Sequence, residues 1–308
     1  MYDVIIIGAG PAGLAAAIYT GRNRYKTLVL STNLGGQTAI AGEIENYPGF
    51  ESISGIELSQ LMQSQAQKQA SVELKIGPDY EITKIDRAQT GFTVIDKAGN
   101  RYDSRTIIIT AGKEHKRLNI PGEKEFEGRG VSFCATCDAP FFKDKVIAVI
   151  GGGYSATEAC EMLIRYAQKV YVLNINDKLN GELVTLEKIS AAKNVQVIPF
   201  AQSISITNDC TKVTGVQYKN TKTGETAELK VDGVFVEIGS IPNTKIFGNL
   251  IKLNQWGEVE IGDKNNTSVS GLFAAGDITN VWGKQTVIAA GEGAKAAMAV
   301  NEFLSKLF

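Results

Sequence analysis

A glycine-rich strand-to-helix turn occurs twice in this chain, with the same spacing of its parts. Val4–Ile7 is a short, wholly apolar run suited to a buried parallel strand. Gly8-Ala9-Gly10-Pro11-Ala12-Gly13 follows it, then an alanine-rich helical stretch, Leu14–Thr20, and a second apolar strand, Thr27–Leu30. The order returns as Val146–Ile150, then Gly151-Gly152-Gly153-Tyr154-Ser155-Ala156, a helix through about Tyr166, and a strand at Val170–Leu173. The interval from Gly8 to Ser31 equals that from Gly151 to Asn174, the two residues that follow the second strands. Each copy reads as a βαβ unit with a G-x-G-x-x-G or G-x-G-x-x-A turn, the framework of dinucleotide-binding folds. The expected fold class is α/β, with two Rossmann-like, three-layer nucleotide-binding domains, the second inserted in the first.

The segments after each unit also correspond. Val72–Ala111 alternates strands with turns at Gly91 and Gly99-Asn100 and ends in the apolar run Thr106–Gly112. Val213–Val236 carries hairpin turns near Asn220 and Gly224, and the unit ends at Val234–Gly239. Gly271–Asp277 is another strand-to-loop junction, and a helix at about Thr286–Leu304 closes the chain. Hinges are expected near Lys116–Gly122 and Ser240–Lys245. The first domain is then discontinuous, residues 1–117 and 245–308, and the second is residues 118–244.

Bulk composition excludes several functions. The 308 residues suffice for two domains, and 44% hydrophobic with 21% charged residues suits ordinary soluble cores. A formal net charge of −1 gives no general attraction to nucleic acid or anionic membrane. No apolar run approaches the roughly 20 residues of a membrane span. Met1-Tyr2-Asp3-Val4 lacks the basic region of a signal peptide, so a cytoplasmic protein is expected, without nucleic-acid or membrane partners.

Four cysteines in a chain of this length do not make a disulfide scaffold. Cys134-Ala135-Thr136-Cys137 is a C-x-x-C pair able to cycle between dithiol and disulfide, and Asp138 follows it directly. Cys160 and Cys210 are far apart in sequence and His115 is the single histidine, so no metal site is expected. Cys160 reads as core, Cys210 as a loop thiol and His115 as structural or near a hinge. Asp138 reads as an acid/base beside the thiols, or as a carboxylate capping a helix start.

The first glycine turn, Gly8, Gly10, Pro11, Ala12 and Gly13, is suited to a pyrophosphate. Its backbone admits close approach, and the following helix start offers N–H groups. The acidic ribose ligand usual at the end of the second strand is absent, and Ser31 stands there. Asp277, after Gly276, is placed to accept from a cofactor hydroxyl or to cap a turn.

These motifs resemble, along almost the full chain, the low-molecular-weight thioredoxin reductases. The matching segments are Gly8–Gly13, Gly35-Gly36-Gln37, Glu45-Asn46-Tyr47-Pro48-Gly49, Cys134–Asp138, Gly151–Ala156, Gly276-Asp277 and Gln285-Thr286. The resemblance implies FAD, a homodimer and reduction of a thioredoxin disulfide. It implies that Gly10, Gln37, Asn46, Asp277 and Gln285 line the flavin, with Gly36, Ala111, Gly112, Lys284 and Thr286 in the same site. Lys284 stands where many members carry arginine. The resemblance also implies that Cys137 faces the flavin, that Cys134 attacks the partner and that Asp138 moves the proton.

One segment departs from the pattern. NADPH-using relatives follow the second strand of the second unit with His-Arg-Arg-x-x-x-Arg, whose arginines grip a 2′-phosphate. Here the stretch is Asn174-Ile175-Asn176-Asp177-Lys178-Leu179-Asn180, with all three arginine positions neutral. The departure resembles the ferredoxin-linked, pyridine-nucleotide-independent type of thioredoxin reductase. Reduced ferredoxin is therefore the expected donor, with NADPH or NADH as the alternative. Transfer from a ferredoxin near roughly −400 mV to a thioredoxin near roughly −270 mV is downhill by about 6 kcal/mol for two electrons. Another dithiol protein is the alternative acceptor.

Overall fold

The computed structural model describes residues 1–41, 43–247 and 250–306. The chain divides into two compact units, 1–114 with 241–308, and 115–240. The crossings fall inside the short strands Lys113–His115 and Ser240–Pro242. The first lies just before the expected hinge Lys116–Gly122, and the second falls within the expected hinge Ser240–Lys245. Residues 42, 248, 249, 307 and 308 of the expected first domain lie outside the described residues.

In the first unit, strand Tyr2–Ala9 lies between Thr27–Leu34 and Arg101–Ile109, parallel to both. Val72–Ile76 extends the sheet beyond Thr27–Leu34, and Leu272–Ala274 pairs with Arg101–Ile109, again in parallel. Gly91–Asp96 and Ile82–Ala88 complete it as an antiparallel hairpin. Both faces of the central strands are covered, which is why their sequences are unbroken apolar runs. Ile6 and Ile108 face helices Pro11–Arg22, Gly55–Gln67 and Thr286–Ser305 through Leu14, Leu58, Met62 and Val300. Ile5, Ile7, Ile107 and Ile109 face Phe92, Val94, Phe247 and Val259. Each fully buried aliphatic side chain contributes about 1.5–3 kcal/mol relative to exposure.

The first helix sits very close to its strand and to the last helix. A Cβ on Gly13 would lie 1.9 Å from the Gly8 carbonyl oxygen, and one on Gly293 1.9 Å from that of Ala12. Pro11 occupies the first helical turn, where its missing N–H costs nothing.

In the second unit, five parallel strands are ordered Val131–Ser132, Gly233–Val236, Val146–Ile150, Lys169–Leu173 and Val195–Ile198. Helices Tyr154–Leu163 and Leu183–Ala191 belong to one face, where Ile147, Val149, Val170 and Val172 meet Ala156, Cys160 and Ile189. An antiparallel sheet, Ala201–Asn208, Val213–Asn220 and Thr226–Lys230, supplies Ile206, Val213 and Val216 to the other. Each unit is thus a covered α/β sheet of the class the repeat implies.

Local boundaries differ from the sequence reading in several places. The strand expected at Thr27–Leu30 runs to Leu34, because a bulge opposite Ile7 to Ala9 lets Leu34 pair again with Ala9. The helix expected to reach Tyr166 ends at Leu163, and residues 164–166 form turns.

Candidate functional site

The C-x-x-C pair lies where the edge strand Val131–Ser132 gives way to a single helical turn, Ala135–Asp138. Cys134 is the N-cap of that turn, and its Sγ accepts from the Cys137 N–H at 3.2 Å. The two sulfurs are joined as a disulfide, with Cα atoms 5.3 Å apart. The Ser132 hydroxyl oxygen accepts from the Cys134 N–H at 3.1 Å, holding the first cysteine's backbone. Asp138 is part-buried, and desolvation pushes its carboxyl above the ordinary value, opposed by a hydrogen bond with Ser132. The structure therefore brings Cys134, Cys137 and Asp138 into one turn. Sequence reasoning missed Ser132, whose role depends on the turn's conformation. The Phe133 ring between these residues packs against His115, centroids 5.4 Å apart, and under the Arg117 guanidinium at 5.0 Å. Cys160 is fully buried, its thiol pushed up to about 12 by burial, and Cys210 is exposed.

The first glycine turn is built differently at each glycine. Gly8 and Gly13 are tight, a Cβ at either meeting backbone or side-chain oxygen. Thr110, read from the sequence only as part of the run Thr106–Gly112, donates to the Gly8 and Ile7 carbonyls at 2.9 Å each. Gly10 is open: a Cβ there would find only the Gly35 carbonyl oxygen, at 3.9 Å. Gly36, at φ 54°, faces Gly10 across the same space, with the Gly10 Cα 3.9 Å from its would-be Cβ. No side chain caps helix Pro11–Arg22, so the N–H groups of Ala12 and Gly13 face this opening without a side-chain acceptor.

The other expected cofactor residues gather from distant parts of the chain. The Asn46 amide donates to Gln285 Oε1 at 3.3 Å, and Thr38 Oγ1 lies 3.1 Å from Thr286 Oγ1. Gln37 starts a short helix, Gln37–Ile40, directly after Gly36. Gly276 packs on Ala12, its would-be Cβ 3.0 Å from the alanine methyl. Ala111 and Gly112 are held through their carbonyls by Asn243, at 2.8 and 3.1 Å. Asp277 lies in the turn after Leu272–Ala274. Burial pushes its carboxyl up, while the charges of Lys113 and Lys284 pull it down. Lys284 pairs with Glu258 at 3.1 Å and donates to the Thr279 carbonyl. The Ser31 hydroxyl donates to the Asn33 carbonyl at 2.7 Å, in a strand that continues past it to Leu34.

In the second unit, Gly151 is tight against the Glu237 carbonyl and Ala156, whereas Gly153 has no described atom within 4 Å of its would-be Cβ. Helix Tyr154–Leu163 likewise has no side-chain cap. At the end of strand Lys169–Leu173, Asn174 is buried while Ile175, Asn176, Asp177, Lys178 and Asn180 are exposed.

A fold of two such units with a bonded C-x-x-C after the edge strand of the second defines a disulfide oxidoreductase. The family model described as pyridine nucleotide-disulphide oxidoreductase matches residues 2–293. The chain belongs to that family and, within it, to the low-molecular-weight thioredoxin reductases. It is 42% identical to the thioredoxin reductase of Bacillus subtilis strain 168, over the whole chain and 96% of that protein. It is 40% identical to the thioredoxin reductase of Rickettsia conorii, covering 98% of the chain and 98% of that protein. The crystal structure of thioredoxin reductase from Streptococcus pyogenes MGAS5005 superposes with a TM-score of 0.92 at 34% identity, covering 99% of both chains.

Thioredoxin reductases of this family are FAD flavoproteins. The first unit suits that group. Gly10, Gly36 and Gly112 leave space that side chains would fill, and the uncapped helix start presents N–H groups to it. The Asp277 carboxyl, raised by burial, lies within the influence of the Lys113, Lys284 and Glu258 charges. No helix among the described residues is long and apolar enough to cross a membrane.

Proposed function

We propose that the protein reduces the disulfide of thioredoxin, using FAD and its own Cys134–Cys137 pair, with reduced ferredoxin rather than NADPH as the electron source. The observation that carries the donor reading is the strand-end segment of the second unit. Ile175, Asn176 and Asn180 occupy the positions where arginines would grip a 2′-phosphate, and the Asn180 N–H is already engaged by the Gly152 carbonyl at 2.7 Å. Each missing hydrogen bond to a charged phosphate forfeits about 1.5–3 kcal/mol, so the loss of two or three weakens NADPH by roughly a thousandfold or more.

The flavin is held by Gly8, Gly10, Pro11, Ala12, Gly13, Gly36, Gln37 and Asn46, with Ala111, Gly112, Gly276, Asp277, Lys284, Gln285 and Thr286, and Ser31 nearby. A bound FAD supplies the electron pair that reopens the Cys134–Cys137 disulfide. Cys134 then attacks the thioredoxin disulfide as thiolate, forming a mixed disulfide and releasing one thioredoxin thiol. Cys137 attacks Cys134 Sγ, restores the internal disulfide and releases the second thioredoxin thiol. Asp138, its carboxyl raised by burial, delivers and removes the proton at these sulfurs. The working assembly is a cytoplasmic homodimer.

A second reading, NADPH or NADH as donor, is favoured by the open backbone at Gly153. An anaerobic assay of thioredoxin reduction separates the two. Turnover with chemically reduced ferredoxin, and little with NADPH or NADH, supports ferredoxin; fast turnover at micromolar NADPH removes it. Loss of turnover in Cys134→Ser and Cys137→Ser with flavin retained supports the dithiol relay, and activity in either variant removes it.

A further inference from the structure

We infer that Asn174 determines donor specificity by closing the ribose end of the second glycine turn; this rests on the proposal that the unit does not use a pyridine nucleotide. In a dinucleotide-binding βαβ unit, the residue ending the second strand bonds the ribose hydroxyls beside the glycine turn. Asn174 is that residue here, and both ends of its carboxamide are engaged within the protein. Its Nδ2 donates to the Lys178 carbonyl at 2.9 Å, and its Oδ1 accepts from the Asn176 N–H at 3.2 Å. Only 1% of the residue is exposed. Its backbone is fixed as well, the N–H donating to Ile198 O at 3.0 Å and the carbonyl accepting from Ala201 at 2.9 Å.

The side chain lies directly on the glycine turn. A Cβ on Gly152 would be 2.1 Å from Asn174 Oδ1, 2.4 Å from Cγ and 2.9 Å from Nδ2. Asn180 reinforces the closure by donating to the Gly152 carbonyl at 2.7 Å. The segment from Asn174 to Asn180 is thereby latched across one side of the turn. Gly153, where a pyrophosphate would approach, stays uncovered. The latch requires an amide: a carboxylate at position 174 would face the Lys178 carbonyl with an acceptor against an acceptor. That substitution opens the latch and supplies the acid that NADH ribose recognition uses.

The test measures binding of NADH to the oxidised, FAD-loaded protein by equilibrium dialysis, so it does not depend on turnover. Asn174→Asp is expected to tighten NADH about tenfold or more relative to the unaltered protein, and Asn174→Ala to tighten it by less. A second measurement reads the contact itself. Gly152→Ala is expected to lower the melting temperature in the Asn174 background, and Asn174→Ala to relieve most of that loss in the double variant. Tighter NADH together with that relief supports the inference. Unchanged NADH affinity in both Asn174 variants, or no relief of Gly152→Ala, overturns it and leaves the donor proposal standing. Micromolar NADH binding by the unaltered protein overturns the donor proposal, and this inference with it.

Discussion

The N–H of Cys137 is directed at the sulfur of Cys134, 3.2 Å away, while no hydrogen bond to the sulfur of Cys137 is present among the described residues. A thiolate gains more from such a donor than a thiol does, and thiols at helix starts are acidified. In the reduced protein, Cys134 is therefore expected to react first. Brief treatment of the dithiothreitol-reduced protein with iodoacetamide at neutral pH, followed by peptide mass spectrometry, should find the label mainly on Cys134. In Cys137→Ser, Cys134 should accumulate as a mixed disulfide with thioredoxin. Preferential labelling of Cys137 would contradict the assignment.

Asp138 carries a stability consequence whose sign follows from its raised carboxyl. A folded-state value above the ordinary 3.8 means that ionisation is harder in the native protein. Below about 3.8 the carboxyl is protonated folded or unfolded, and its favourable contribution is complete. As the pH rises through the raised folded value, that contribution is lost. Asp138→Asn should therefore melt higher than the unaltered protein at pH 7, and the difference should shrink as the pH falls toward 4. Its thioredoxin-reducing rate should fall by about 10²–10⁴-fold if Asp138 moves the proton. Unchanged turnover with a raised melting temperature would leave Asp138 a structural carboxylate.

Two glycines of the first turn should respond in opposite ways. At Gly13 an added methyl meets the Gly8 carbonyl at 1.9 Å, so Gly13→Ala should destabilise the first unit by several kcal/mol, as overpacking against fixed backbone does. At Gly10 the nearest atom is 3.9 Å away and φ is −78°, which alanine adopts readily. Gly10→Ala should fold with little loss but emerge depleted in FAD. Melting curves and the flavin-to-protein absorbance ratio of the two variants check both outcomes. Full flavin content in Gly10→Ala would remove Gly10 from the cofactor site.

The repeat of strand, glycine turn, helix and strand was legible because each element depends on local pattern, and both copies form where the motif lies. The bulge that carries the second strand to Leu34 was not legible, because it depends on pairing across the sheet with Ala9. Ser31 was assigned to the strand end for that reason. The contacts Thr38 with Thr286 and Asn46 with Gln285 join residues more than 200 positions apart, and only the folded sheet brings them together. Residue identities along Asn174–Asn180 were readable, but not the inward turn of Asn174, which depends on a carbonyl four residues on.

Restoring charge to that segment should restore nucleotide use in part. Ile175, Asn176 and Asn180 are exposed, so replacement leaves the core untouched. Ile175→Arg with Asn176→Arg should tighten NADPH by about a hundredfold or more, the equivalent of two recovered bonds at about 1.5 kcal/mol each. Titration calorimetry with NADPH measures it, and an affinity unchanged from the unaltered protein would show that more than charge has been lost.

The donor is decided most directly by following the absorbance of the bound flavin during anaerobic titration of the oxidised, FAD-loaded protein. The expected result is loss of the flavin absorbance on addition of reduced ferredoxin, with little change in excess NADPH. Rapid bleaching by micromolar NADPH, or a ferredoxin that leaves the absorbance unchanged, would contradict the account.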